Sequence, residues 1–341
     1  MTTTVCPDCA ADVAAADKYC EACGRALGGR RVILPHNDIA ATVCVGCGGV
    51  RYNSDRYCVQ CGERCAVRDR FEADLGAVCV LTDRGIVHAR NEDAVAAAVL
   101  DGDLPGRPAA VVIVVCDGVS TSEDPQVASS AAARAGVEAT LAALVGEQSA
   151  DTAVMSGLEA AAQAVRATAA HERHSPSCTY VSAVVRDCGA AGVEIAVANV
   201  GDSRAYWLRA EAATTAHDED NPPSQRLSVD DSWAQALVDA GAMDEESAMN
   251  DPRAHTLLRW LGADGGSRPW SDSCVRTLRT TGPGVLLLCT DGLWTYQSDA
   301  TSLAPMATGA APPSAARELA EFALRSGGSD NITVALAPVH P

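Results

Sequence analysis

Eight cysteines near the start of the chain fall into two equal sets. Cys6, Cys9, Cys20 and Cys23 recur as Cys44, Cys47, Cys58 and Cys61 at a constant offset of 38 residues, each set spaced C-x2-C-x10-C-x2-C. Two C-x2-C hairpins bring four thiolates to one point, and four sulfurs in a tetrahedron are what Zn2+ takes in structural sites. The flanks repeat as well. Asp17-Lys18-Tyr19 precedes Cys20 as Asp55-Arg56-Tyr57 precedes Cys58, and Gly24 and Gly62 follow the second hairpins, where a positive φ turns backbone N–H groups toward sulfur. Segments of about 20 residues cannot bury a core, so the metal must supply the folding energy. Disulfides and iron fit less well than zinc, given identical spacing in both copies and a composition read as that of a reducing compartment.

A second set of chemically capable residues is scattered through the rest of the chain. Acidic residues stand beside Gly or Asn at the edges of apolar runs: Asn91-Glu92-Asp93, Cys116-Asp117-Gly118, Gly201-Asp202-Ser203-Arg204, Thr290-Asp291-Gly292 and Ser329-Asp330-Asn331. Any single Asp-Gly reads as a turn. Taken together, carboxylates at strand ends can converge although far apart in sequence, and hard cations such as Mg2+ or Mn2+ want oxygen ligands. Two such ions sharing a carboxylate can activate a water and clamp a phosphate for in-line attack.

The elements that would position these groups are legible in outline. Short Val- and Leu-rich runs at Val78–Thr82, Ala109–Cys116, Tyr180–Arg186, Val193–Asn199, Ala205–Leu208 and Val285–Cys289 read as strands. Gln126–Glu147 and Asp151–His171 are long, Ala-dominated and free of internal Pro, and read as helices. Two consecutive helices between strands argue for a layered α+β fold. The stretch 28–43 between the cysteine sets carries turn residues and reads as a linker, and His217–Pro223 reads as an exposed loop. The division expected is a zinc-ribbon-like module at 1–27, the linker at 28–43, a second module at 44–66 and a large domain at 71–341.

The formal net charge of -18 disfavours nucleic acid and anionic lipid as partners. No run approaches the ~18 apolar residues of a membrane span. The start, Met1 to Cys6, lacks the pattern of a secretory signal, so a cytoplasmic protein is expected.

The acidic motifs in their order resemble the bacterial metal-dependent serine/threonine protein phosphatases, the PPM or protein phosphatase 2C type. The resemblance runs from about Phe71 to the end. It rests on Thr82 to Asp93, Val115 to Val119, Ala198 to Tyr206, Leu288 to Trp294 and Gly328 to Thr333, with Leu227 to Trp233 and Leu258 to Gly262 in support. It implies a four-layer αββα sandwich of two antiparallel sheets with metals at one end. Asp117 would bridge two Mn2+ or Mg2+ ions, with the Gly118 carbonyl as a further ligand. Asp291 and Asp330 would complete one ion, and Glu92 or Asp93 would serve the second, directly or through water. Asp202 would hold a weaker third ion with Asp291. The implied activity is hydrolysis of phosphoserine and phosphothreonine in proteins by a metal-bridged hydroxide, on substrates of a serine/threonine kinase. The alternative is a weakly active or inactive regulatory protein whose zinc modules bind partners.

Two departures from the family pattern stand out. The usual phosphate-binding Arg is replaced by His88, with Arg90 two residues on and able to face the same way along an extended segment. Many eukaryotic relatives place a His after the first Asp-Gly, where this chain has Val119; bacterial relatives also lack that His.

Overall fold

The computed structural model describes residues 4–5, 11–13, 20–23, 30–35, 47, 49, 57–62, 70–102, 107–169, 175–210, 221–266, 270–271 and 273–340. The expected loop His217–Pro223 lies outside them for residues 217–220, as do Cys6, Cys9 and Cys44.

In chain order the strands are β1 (Thr4–Val5), β2 (Asp12–Val13), β3 (Arg30–Leu34), β4 (Arg70–Asp74), β5 (Cys79–Asp83), β6 (Ala94–Asp101), β7 (Pro108–Cys116), β8 (Tyr180–Asp187), β9 (Val193–Val200), β10 (Arg204–Leu208), β11 (Gln225–Arg226), β12 (Val275–Thr280), β13 (Gly284–Cys289) and β14 (Ile332–Val339). The helices are α1 (Pro125–Val145), α2 (Ala150–Thr168), α3 (Trp233–Asp239), α4 (Glu245–Met249), α5 (Asp291–Trp294), α6 (Ala300–Thr308) and α7 (Pro312–Ser326). Among the described residues, β1 and β2 pair only with each other. The remaining strands form two six-stranded antiparallel sheets, in the orders β11-β10-β13-β14-β5-β4 and β12-β9-β8-β7-β6-β3.

The pleat sorts the layers. Successive side chains of a strand point to opposite faces. In β6 and β7 the residues Val95, Ala97, Val111, Ile113 and Val115 face the first sheet and meet Leu286, Leu288, Ala335 and Ala337. Their neighbours Ala94, Ala96, Val112 and Val114 face outward and pack under α1 and α2. On the far side, Leu287, Val334 and Leu336 pack under α6 and α7. Strands buried on both faces read as continuous apolar runs, which explains why β7 and β13 stand out in the sequence. The result is the αββα sandwich. Among the described residues no helix is long and apolar enough to cross a membrane.

The stretch between the cysteine sets is more than a linker. Arg30 to Leu34 pair antiparallel with Leu34 opposite Val95 and Arg30 opposite Val99, so this segment forms the outer strand of the second sheet. Leu34 is buried in the inter-sheet core, and Arg31 forms an ion pair with Glu138 on α1. A strand flanked by turn residues carries no local signal of its partner, which lies some 60 residues away.

Candidate metal centre

The acidic motifs meet at one end of the sandwich because the strands that carry them are in register there. Ala94 opposes Cys116, Cys289 opposes Val334 and Arg204 opposes Cys289. Asp93 therefore enters just before β6, Asp117 leaves just after β7, and Asp291 leaves β13 beside Asp330, which enters β14. Asp202 sits in the turn from β9 to β10.

Asp93, Asp117, Asp291 and Asp330 act on one another electrostatically. Burial pushes the Asp93 carboxyl up to about 8, helped by Asp330 and Asp291 and opposed by hydrogen bonds from Thr333 and Thr290. Burial and the neighbouring Asp93, Asp291 and Asp330 hold Asp117 well above the ordinary carboxylate range. Asp291 is raised to about 6, first by burial and then by Asp330, while a hydrogen bond with Asp117 pulls the other way. Asp202 is raised by burial and by Asp291 and Asp230, with Arg204 offsetting part of this. Like charges gathered away from water favour protons or cations between them.

The orphan oxygens decide which. Asp93 Oδ2 accepts from Thr290 Oγ1 at 2.9 Å and from Thr333 Oγ1 at 2.7 Å. Asp93 Oδ1 and Asp291 Oδ1 are buried with no hydrogen-bond partner. Buried polar atoms without partners are rare in folded proteins, and carboxylate oxygens left bare inside an acidic cluster fit divalent cations with oxygen ligands. Gly118 is required sterically, since a Cβ there would lie 2.7 Å from the Glu92 carbonyl oxygen and 2.9 Å from Pro125 Cβ.

Glu92 and Asp93 are adjacent yet differently placed. Glu92 accepts from Arg90 Nε at 2.9 Å and from Ser120 Oγ at 2.8 Å, so both its oxygens are engaged outside the aspartate group. His88 Nε2 lies 3.1 Å from Asp330 Oδ1. Arg90 is hydrogen-bonded through Nε, its Nη1 lies 3.9 Å from Asp124 Oδ1, and its side chain is about half exposed (48%).

A supporting layer was not singled out from the sequence. Asn331 accepts from the Glu92 N–H and donates to the carbonyls of Arg84 and Arg90, tying three segments together. Thr179 accepts from the Asp117 N–H at 3.0 Å. Trp294 donates from Nε1 to the Asp202 carbonyl at 2.9 Å and stacks its ring under Arg204. In sequence, Asn331 and Trp294 stand beside an acidic motif, whereas Thr179 stands just before β8 with no acidic neighbour.

In the amino-terminal region, the sulfurs of Cys47, Cys58 and Cys61 lie within 4.8 Å of one another. Cys47 Sγ and Cys58 Sγ are 3.5 Å apart. The Gly62 N–H donates to the Cys58 carbonyl, with φ at +74°, the left-handed turn expected after the second hairpin. Three converging thiols suit a soft, tetrahedral ion such as Zn2+. The fourth cysteine of this set, Cys44, and Cys6 and Cys9 of the first are outside the described residues, while Cys20 is buried and Cys23 exposed.

Residues 6–62 match the double zinc ribbon family. Over 260 residues the chain is 31% identical to the serine/threonine protein phosphatase PstP of Mycobacterium tuberculosis, covering 76% of this chain and 44% of that protein. It thus spans less than half the length of that relative. It is 30% identical over 271 residues to the serine/threonine phosphatase stp of Listeria innocua, covering 75% of this chain and 92% of that protein. The fold is similar to the crystal structure of the PPM Ser-Thr phosphatase MsPP from Mycobacterium smegmatis in complex with cacodylate. The TM-score is 0.59 at 25% identity, over 79% of this chain and 100% of that one.

Proposed function

The chain belongs to the PPM family of serine/threonine phosphatases, and on that premise we propose that it removes phosphate from phosphoserine and phosphothreonine in proteins, at a centre of two Mn2+ or Mg2+ ions. The observation that carries this reading is the buried aspartate group with bare oxygens on Asp93 and Asp291. Asp93, Asp117, Asp291 and Asp330, with the Gly118 carbonyl, would hold the two ions, and Asp202 with Asp291 a weaker third. The chemistry such ions supply is Lewis-acid activation of water and neutralisation of phosphate charge.

The chain's own residues have separate tasks. Thr290 and Thr333 fix the Asp93 carboxylate so that only Oδ1 faces the centre. Glu92, held by Ser120, orients Arg90 through Nε, and the guanidinium, with Asp124 3.9 Å from Nη1, still has N–H donors to offer phosphate oxygens. Arg90 thereby takes the phosphate-binding role that the family pattern gives to position 88, and His88 is engaged with Asp330. No acid stands at Val119, so the serine or threonine leaving group takes its proton from water.

The amino-terminal region would hold two structural Zn2+ ions, one in each cysteine set, and the substrates would be proteins phosphorylated by a serine/threonine kinase. The experiment is Mn2+-dependent hydrolysis of an aryl phosphate and of a phosphothreonine peptide. Wild-type protein should turn over both and Asp117→Asn neither. Arg90→Ala should raise KM for the peptide several-fold, and His88→Ala should do less. Equal rates for wild type and Asp117→Asn would leave the regulatory, non-catalytic reading in possession.

A further inference from the structure

A cleft of about 440 Å3 opens beside the aspartate group, and the phosphatase reading leaves it unassigned. Its near wall is the loop from Val119 to Ser122, which starts one residue after Gly118 and touches the centre where Ser120 donates to Glu92. Its far wall is formed by Leu257, Trp260 and Asp264. The two walls are tied together below by paired hydrogen bonds between Cys178 and Leu261, both 2.9 Å, and by the Val119 N–H on the Ser177 carbonyl. The cleft is therefore a fixed feature, its Ser and Thr side chains set among the apolar surfaces of Val119, Leu257 and Trp260.

The far end is acidic. Asp264 is exposed, accepts from Trp260 Nε1 at 2.9 Å and has no cationic partner among the described residues. One of its oxygens holds the indole in place, and the other is available. Asp264 is the one carboxylate among the residues that line the cleft. His255 contributes to the far wall but does not oppose a cation. Burial, and then the charge of Arg204, lower its proton affinity, so it is neutral at neutral pH.

A long aliphatic stem ending in a positive charge matches this arrangement. Lys and Arg lay their methylenes along apolar surface and keep the charge at the tip, and an indole face attracts that charge. We propose that this cleft is a specificity subsite for an arginine or lysine of the phosphoprotein near the phosphorylated residue, its stem against Leu257 and Trp260 and its charge at Asp264. The inference rests on the phosphatase reading and names the substrate class for it. An exposed ion pair and a cation–π contact together are worth about tenfold in kcat/KM.

The test uses the full-length protein with Mn2+ and a phosphothreonine peptide flanked by alanines. A single Arg, Leu or Glu is walked through the flanks one position at a time. At one position Arg should raise kcat/KM about tenfold over Ala, and Glu should lower it. Asp264→Asn keeps an acceptor for the Trp260 indole and removes only the charge, so the ratio of Arg to Ala at that position should fall to near one. Asp264→Arg should turn the preference toward Glu. The proposal is overturned if no position favours Arg, if Leu outperforms Arg at the favoured position, or if the ratio survives Asp264→Asn. Hydrolysis of no peptide by wild-type protein would instead remove the phosphatase reading, and this subsite with it.

Discussion

Replacing Asp93 by Asn should make the metal-free protein more stable and the enzyme far slower. The side chain is fully buried, and its carboxyl is raised from an ordinary 3.8 to about 8 by burial and by Asp330 and Asp291. A carboxyl with a raised folded-state pKa favours the unfolded chain once the pH exceeds its unfolded value. The loss of stability begins near pH 4 and grows until the folded group ionises near pH 8. Each tenfold difference in proton affinity is worth about 1.4 kcal/mol. At neutral pH the cost in the metal-free protein is therefore on the order of 2–4 kcal/mol. Asn has the same shape and no charge to desolvate. Its carbonyl can accept from Thr290 and Thr333 as Oδ2 does now, and its amide can donate to the carboxylates that face the bare oxygen. For a domain of this size, a gain of that order raises Tm by roughly 5–10 °C. The same change removes an anionic ligand, so Mn2+-dependent turnover of an aryl phosphate should fall at least about a hundredfold, or ~2.7 kcal/mol. The assay pairs thermal melts in chelator, from pH 5 to pH 8, with steady-state rates in excess Mn2+. Wild-type Tm should decline across that range, and the variant's slope should be flatter. A variant that melts below wild type at neutral pH, or keeps a tenth of its rate, refutes the electrostatic argument for the site.

Three further outcomes follow from the same geometry. With Asp93 raised to about 8 and Asp291 to about 6, protons compete with metal, so Mn2+ should raise Tm more at pH 8 than at pH 6; equal shifts would mean that these carboxyls are not the ligands. A chain shortened to begin at Arg70 loses β3, including buried Leu34 and the Arg31–Glu138 pair, and bares the edge of β6. It should lose about 2–3 kcal/mol of stability and self-associate, read by chemical denaturation and light scattering, whereas unchanged stability would show that β3 is dispensable. Metal analysis should find about two Zn2+ per chain, the four-sulfur stoichiometry, and Cys58→Ser should remove one of them without changing the aryl phosphate rate.

Much of the candidate site could be read from the chain because its acidic residues are local signals. An aspartate beside Gly or Asn at the end of an apolar run marks a strand terminus wherever it occurs, and the thiol sets carry their own spacing. The strands β7 and β13 were legible for a related reason: burial on both faces leaves apolar runs with no polar break, and β8 and β9 are Val-rich despite Ser182, Glu194 and Asn199. Strand β6 reads Ala94-Val-Ala-Ala-Ala-Val-Leu-Asp101, an alanine content that gives no strand preference by itself. It is a strand because β7 and β3 pair with it on either side.

Tertiary structure settled what depends on partners distant in sequence. Glu92 and Asp93 are equivalent as letters. Register turns one toward Arg90 and Ser120 and the other toward Thr290 and Thr333, some 200 residues away. Arg90 is placed by Glu92 at Nε and Asp124 at Nη1, and His88 meets Asp330 only because β14 returns beside β5. The stretch between the thiol sets has the composition of a linker and becomes a sheet edge because β6 has a free side for it to pair with. The sequence determines which residues can bind metal and where strands end. Long-range pairing decides which of those residues face the same few ångströms of space, because hydrogen-bond register fixes the direction of every side chain along a strand.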